Sequence, residues 1–412
     1  MIGRVDGQVV LVAGAIPGER VTARIERVGK GIVFAETVTV DESSPDRLEP
    51  FTDPLCGGCL YAHIAYPRQL DIKAQVIADA FARIAHLPIP ASLHVAPSPA
   101  EGYRMRARLH LRHLRWGFFR EGSHQLCDAR ATRQLLPATC DAIDRLAAGL
   151  RSLAIDEAHE VEVAENIDAS ERVVHITTST PIDVRRLLPL GQGPGMTGLT
   201  ATASAGERPP HLAGSGRTAV VAGNPYVADV LVVEDCSFML RRHVLAFFQG
   251  NRYLLRDLVS QVTARIVPGS DIIDLYAGAG LFSVAAAVLR RARVTAVEGN
   301  PAASRDLLAN AAQAQGAVTV AHQPVEAFVS SAARSVDAVI VDPPRTGMSR
   351  EALEGVIGLR ATRVVYVSCD VATLARDGRR LVDGGYTLHD VAAFDLFPNT
   401  PHVETVAVFM LP

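Results

Sequence analysis

Over the first 48 residues, apolar and polar positions alternate in short bursts: GQVVLVAG, RVTARIERV and GIVFAETVTV. Turn signals at Pro17-Gly18 and Gly29-Lys30-Gly31 separate them. A period of two with breaks at this spacing predicts the strands of a small β-barrel. Gly3-Arg4-Val5-Asp6-Gly7 reads as a turn, so a first strand is expected elsewhere or missing, which would truncate the barrel at its start. Residues 49–66 form a loop containing Pro, Gly and Cys. Residues 67–87 then switch to a helical period, with a proline at the position where a helix tolerates one. Prolines within 88–100 end that pattern. Residues 101–125 are rich in arginine and strand-like, and the alternation in RARLHLRHLRW puts Arg106, Arg108, His110 and Arg112 on one face. A helix is predicted over 137–154, strands at EVEVAEN and RVVHITTS, and a loop or long hairpin tip over 202–218.

From about residue 253 the pattern becomes strand and helix in alternation. DIIDLYAG, RVTAVEG, VTVAH, VDAVIVDPP and RVVYVSC are apolar runs of strand length with helical stretches between them. This predicts an α/β fold with a parallel, doubly wound, Rossmann-like sheet. The chain thus divides into a β-barrel (1–48), a cysteine loop, helix and central α/β region (49–240), and a Rossmann-like domain (241–412).

Composition narrows the function classes. No apolar run approaches the roughly 18 residues of a membrane span, and Val9–Ala15 lacks the pattern of a secretory signal. A cytoplasmic monomer is expected. Net charge is −3, so total charge does not announce nucleic-acid binding. Lys30 and Lys73 are the only lysines; every other fixed cation is arginine, whose planar fork suits phosphates. Six cysteines in a cytosolic chain read as thiols, metal ligands or a nucleophile rather than disulfides.

The strand DIIDL runs into Tyr276-Ala277-Gly278-Ala279-Gly280, followed by a helix. Gly278 and Gly280 would let a ligand approach the backbone at the helix start. Glu298 ends the next strand, where an acid accepts hydrogen bonds from ribose hydroxyls. No Walker lysine accompanies the turn, and S-adenosylmethionine is preferred over a nicotinamide cofactor.

Three later segments carry the chemistry: Asp342-Pro343-Pro344-Arg345-Thr346-Gly347, Val367-Ser368-Cys369-Asp370, and Phe397–Glu404. Singly, Cys369 reads as a small buried hydrophobe, Glu404 as a surface carboxylate and Asp342 as a turn cap. Jointly, they suit methylation of uracil carbon 5. That carbon is a poor nucleophile until a thiolate adds at carbon 6. A base must afterwards remove the carbon 5 proton so that the thiolate can leave.

These segments resemble the uridine-5 RNA methyltransferase family over nearly the whole chain. The family's D-P-P-R-x-G corresponds to Asp342–Gly347, S-C-N-P-x-T-L-A-R-D to Ser368–Asp377, F-P-x-T-x-H-V-E to Phe397–Glu404, and F-x-Q-x-N to Phe247–Asn251. The N-terminal barrel looks like a TRAM domain, an RNA-binding module. The resemblance implies Cys369 as nucleophile and Glu404 as proton acceptor. It places Gln249, Tyr276, Gly278, Gly280, Glu298 and Asp342 on S-adenosylmethionine, and Phe247 and Arg345 on the substrate. The partner implied is ribosomal or transfer RNA.

The sequence also departs from the family. Many members hold a 4Fe–4S cluster on C-x5-C-x2-C plus a later cysteine. Here Cys56 and Cys59 remain, Pro50 takes the first position, and the later position falls near Thr132, out of register with Cys127. No cluster is expected; Cys56 and Cys59 would keep the turn or bond to each other. Asp370-Val371 replaces Asn-Pro, which should loosen the loop and, with Asp370 turned inward, raise the thiol pKa. The strip Arg104, Arg106, Arg108, Arg112, Arg115 and Arg120, interleaved with Tyr103, Trp116, Phe118 and Phe119, suits looped RNA. It equally suits a sheet with arginines outside and aromatics inside. The competing function is an RNA-binding protein or chaperone with impaired catalysis.

Overall fold

The computed structural model describes residues 1–113, 115–180, 182–203, 218–331 and 336–412. The tip expected at 202–218 lies almost wholly outside the described residues. The chain opens with strand β1 (Ile2–Val5), so residues 3–7 are not simply a turn. Asp6 and Gly7 alone make the turn, with φ of 48° and 80°. β1 pairs antiparallel with β2 (Gln8–Ala13) from Ile2↔Leu11 to Val5↔Gln8. With β3 (Arg20–Gly29) and β4 (Ile32–Glu42) they form a sheet of order β1-β2-β4-β3. Ile16 at its base packs with Ile64 and Ile72 of the following segment.

The helix predicted over 67–87 is α1 (Tyr66–Ala80), extended by one π turn through Ala85 and stopped by left-handed His86. Its inward face carries Gln69, Ile72, Lys73 and Ile77, so two polar side chains lie among the buried positions. The short strand β5 (Val95–Ala96) follows.

Next comes a seven-stranded sheet built from β6 (Arg106–Arg112), β7 (Arg115–Phe119), β8 (Leu126–Cys127), β9 (Ala158–Glu165), β10 (Arg172–Thr178), β11 (Gly198–Ala203) and β12 (Ala219–Gly223). Helix α2 (Pro137–Ser152) covers one face. The alternation in β6 decides which face: Ala107, Leu109 and Leu111 are buried with Ile143, Leu146 and Leu150 of α2. Each fully buried aliphatic side chain contributes roughly 1.5–3 kcal/mol. A hairpin, β13 (Tyr226–Val233) and β14 (Cys236–His243), leads out of this region.

The remaining elements alternate as predicted: α3 (Leu255–Thr263), β15 (Asp271–Leu275), α4 (Leu281–Arg290), β16 (Arg293–Val297), α5 (Pro301–Ala311), β17 (Val318–Ala321), α6 (Val325–Ser331), β18 (Ala338–Val341), α7 (Arg350–Leu359), β19 (Arg363–Ser368), α8 (Val371–Asp383), β20 (Thr387–Phe394) and β21 (Glu404–Met410). Sheet order is β17-β16-β15-β18-β19-β21-β20-β5. The first five strands are mutually parallel, and β21 runs antiparallel between β19 and β20. All four residues of β18 are buried, the continuous apolar run expected of a strand with helices on both faces. Strand order reverses between β15 and β18, and ligands of such sheets bind beyond the carboxyl ends at that point. Tyr276–Gly280, Glu298, Asp342 and Cys369 all follow carboxyl ends of adjacent strands. β5 completes the far edge by pairing in parallel with β20, Val95 against Ala393.

Candidate active site

Cys369 follows β19 and Glu404 opens β21, the strand paired to β19 at Ser368↔Thr405. Glu404 is 1 % exposed, whereas Cys369 is half-buried with a free thiol. Burial is the main cause that pushes the Cys369 thiol up to about 11; the charge of Glu404 and, less, of Asp342 adds to it. Arg345 opposes both as a cation beside the thiol. Burial also holds the Glu404 carboxyl well above the usual carboxylate range, reinforced by Asp342 and opposed by Arg345. Cys369, Glu404, Asp342 and Arg345 therefore form one electrostatic cluster. Arg345, whose guanidinium is exposed, is the one member of the four that favours ionisation of both the thiol and the acid.

Asp370 does not turn toward the thiol. Its carboxylate accepts from the Thr373 N–H at 2.9 Å and caps α8. The Ser368 hydroxyl closes the same turn, accepting from Asp370 N at 3.1 Å and donating to Asp370 O at 2.9 Å. These bonds tie the turn that enters α8 at the position where the family's proline is absent.

The cofactor side is equally built. Glu298 accepts from Gly278 N at 2.8 Å and Asn300 N at 2.6 Å, which fixes its carboxylate beside the glycine turn. Gly280, at φ 93°, lies against Leu307; a Cβ there would stand 2.7 Å from that side chain. Gly278 has φ 57° and open space where a Cβ would be, so the turn is open to a ligand there. Gln249 donates to Asp342 at 3.4 Å. Burial and the neighbouring Asp274 push Asp342 up to about 7. Asp274 is a residue the sequence reading passed over. It is 1 % exposed, one carboxylate oxygen takes the Ser283 hydroxyl, and the other has no hydrogen-bond partner among the described residues. An acid inside the apolar run DIIDL, just before a glycine turn, was the available signal. An orphaned buried carboxylate oxygen near a second acid suits a cationic ligand, and S-adenosylmethionine carries both a sulfonium and an ammonium.

Of the aromatic pair, Phe248 is core, 4.2 Å beneath the Arg242 guanidinium. Phe247 is 67 % exposed and Tyr276 is half-buried with left-handed φ of 61°. The arginine strip is largely turned onto the protein itself. Arg106 and Arg108 pair with Glu162, and Arg108 also with Glu160 on β9. Arg120 pairs with Asp53, and Arg104 donates to Gln134 at 2.6 Å. Tyr103 and Phe118 are buried.

The cysteines depart from expectation. Cys56 bonds to Cys127 rather than to Cys59, which stays a buried free thiol pushed up to about 12. The bridge Cys56↔Arg120 and the register Phe118↔Cys127 bring the pair together, while Thr132 is buried and bonded to Ala129 O. A four-thiolate cluster does not fit: Pro50 stands at one position, and two of the remaining cysteines are bonded to each other. Among the described residues no three His, Cys, Asp or Glu side chains are grouped to hold a metal ion.

Residues 1–38 match the TRAM domain, and residues 211–411 match the family model described as tRNA (Uracil-5-)-methyltransferase. The chain is 31 % identical to the 23S rRNA (uracil(1939)-C(5))-methyltransferase RlmD of Methylococcus capsulatus over 99 % of its own length and 93 % of the relative's. The chain belongs to the RNA uracil-C5 methyltransferase family. The RlmD enzyme of Pseudomonas putida is also 31 % identical, over 99 % and 90 % of the two lengths. The tRNA (uracil-54, C5)-methyltransferase of Pyrococcus abyssi, solved with S-adenosyl-L-homocysteine, superposes with a TM-score of 0.78 at 26 % identity, covering 97 % of this chain and 95 % of that one. This methyltransferase is accordingly S-adenosylmethionine-dependent and acts on RNA. Among its described residues no helix is long and apolar enough to cross a membrane.

Proposed function

We propose that the methyltransferase modifies a uridine of large-subunit ribosomal RNA, in the cytoplasm and as a monomer, through a covalent adduct on Cys369. Whole-length likeness to two ribosomal RNA enzymes supports that substrate over transfer RNA. The observation that carries the mechanism is the adjacency of Cys369 and Glu404 on paired strands, with Arg345 and Asp342 acting on both.

In this reading Phe247 receives the target base once it leaves its stack. Arg345 stabilises the Cys369 thiolate, which adds to carbon 6 of the uracil ring. S-adenosylmethionine, when bound, supplies an electrophilic methyl group for carbon 5. Asp342, Gln249, Glu298, Tyr276 and the Gly278–Gly280 turn would hold and orient it. The Glu404 carboxylate then takes the carbon 5 proton. The C–H electron pair becomes the C5=C6 double bond, the S–C6 bond breaks, and Cys369 returns as thiolate.

The test is nucleoside mass spectrometry of 23S ribosomal and transfer RNA transcripts after incubation with enzyme and S-adenosylmethionine. Wild type is expected to form 5-methyluridine in the ribosomal transcript, and Cys369→Ala none. Methylation of transfer RNA alone would move the substrate. Activity surviving in Cys369→Ala would remove the covalent step.

A further inference from the structure

Residues 395–403 link β20 to β21 and deliver Glu404 at their end. Two side chains of α1, more than 300 residues earlier in the chain, hold this loop. Lys73 Nζ donates to Asp395 at 2.5 Å and to the Phe397 carbonyl at 3.1 Å. One helical turn away on the same face, Gln69 exchanges two hydrogen bonds with Asn399. Its Nε2 donates to Asn399 Oδ1 and its Oε1 accepts from Asn399 N, both at 3.0 Å. The same Nε2 lies near the carbonyls of Tyr61, at 3.1 Å, and Ile64, at 2.9 Å. Asn251 adds a bond to the Leu396 carbonyl at 3.1 Å. Asn399 itself sits at φ 63°, a backbone state that persists when its surroundings enforce it.

Two observations separate this clamp from ordinary packing. The side chains of Lys73 and Asp395 are 1 % and 0 % exposed. A buried ion pair is seldom more stabilising than an apolar pair of the same volume, so what it contributes here is direction: one ammonium fixes both a side chain and a backbone carbonyl. Second, Lys73 is one of two lysines among the 41 lysines and arginines of this chain. Where nearly every other cation is arginine, this closed site keeps the compact ammonium, for which a planar guanidinium is no substitute.

We propose that Lys73 and Gln69 are positioning residues for proton abstraction: through the 395–403 loop they set where the Glu404 carboxyl stands relative to Cys369. The inference rests on the covalent reading of the reaction given above. Adduct formation draws on Cys369 and Arg345, with which Lys73 and Gln69 share no hydrogen bond among the described residues. Loss of the clamp therefore slows the last step, in which Glu404 takes the carbon 5 proton and the S–C6 bond breaks. The methylated adduct should then accumulate.

The test uses the full-length enzyme, an RNA transcript that wild type methylates, and S-adenosylmethionine labelled in its methyl group. The key variant is Lys73→Met combined with Asp395→Leu, which leaves no buried charge unpaired. It is expected to fold, to bind RNA with a KM within about twofold of wild type, and to lose about ten- to a hundredfold in kcat. A labelled RNA–protein complex that survives denaturing gel electrophoresis should build up, as it should for Glu404→Gln. Lys73→Arg should not restore turnover. Should the double variant fail to fold, Gln69→Met, which removes the amide pair without stranding a charge, is read in the same way. Normal kcat in the folded variant, or lost kcat without the labelled complex, would overturn the proposal while leaving the covalent reading intact. Turnover that survives Cys369→Ala would remove both.

Discussion

Consider S-adenosylmethionine binding as a function of pH, with Asp342 as the group that titrates. Burial and the charge of Asp274 push its carboxyl up to about 7, and only the hydrogen bond from Gln249 pulls it back. A cationic ligand is attracted by the ionised form. If binding requires that form, apparent affinity scales with the ionised fraction. That fraction is roughly one-tenth at a pH one unit below the pKa and close to one at a unit above. Binding should therefore weaken about tenfold from pH 8 to pH 6, a change of about 1.4 kcal/mol. The sign is fixed by the raised pKa: affinity falls as pH falls through about 7, and binding near that pH releases a proton. Titration calorimetry in two buffers of different ionisation enthalpy measures both quantities. Asp342→Asn should bind more weakly and show no slope. An affinity that stays constant between about pH 6 and 8 in wild type would refute the reasoning. A slope that persists in Asp342→Asn but vanishes in Asp274→Asn would assign the titration to Asp274, also pushed to about 7.

Four further outcomes are expected. Arg345→Met should slow trapping of 5-fluorouridine RNA about tenfold near neutral pH, with the deficit shrinking as pH rises, since it removes the cation opposing the rise of the Cys369 pKa; a pH-independent deficit would refute this role. Phe247→Ala should leave Tm unchanged and raise the RNA KM by about tenfold, the scale of one lost base stack. Phe248→Ala, by contrast, should cost about 3–5 kcal/mol of stability, readable in a denaturant titration. Reducing the Cys56–Cys127 bond, which spans 71 residues, should lower stability by up to about 4 kcal/mol, and Cys56→Ser should abolish the difference between reduced and oxidised samples. Iron in the purified protein together with unbonded Cys56 would contradict the pairing.

What could be read from the chain beforehand follows physical locality. The parallel sheet was legible because its strands, buried on both faces, are unbroken apolar runs such as AVIV in β18. The candidate site was legible because Asp342 and Cys369 stand just past strand ends, where the sheet collects its ligands. For the arginine strip the sequence left two readings open, because charge is visible in sequence and its pairing is not: Glu162 lies 54 and 56 residues from Arg108 and Arg106. β1 was missed because Gly3 and Arg4 are poor strand formers and its partner, from Gln8 to Leu11, rescues it through pairing. The Cys56–Cys127 bond was not legible because the meeting of the two cysteines is set by the β7–β8 pairing rather than by spacing. Asp370 is different. An aspartate three residues before Thr373 at a helix start is a local capping signal that could have been read.

The pairing of β5 with β20 also has a chronology. Val95 waits for Ala393, 298 residues later in the chain. At about 5–20 residues per second on a ribosome, that interval is roughly 15–60 seconds. During it Gln69 and Lys73 of α1 have been synthesised but their partners Asn399 and Asp395 have not. The central sheet, whose strands lie between Arg106 and Gly223, finds its neighbours well before then. The nascent chain therefore carries a finished middle flanked by an early helix whose Lys73 and Gln69 still lack their partners from the end of the chain. The bonds from α1 to the loop that delivers Glu404 close only when β20 and the loop after it have been made.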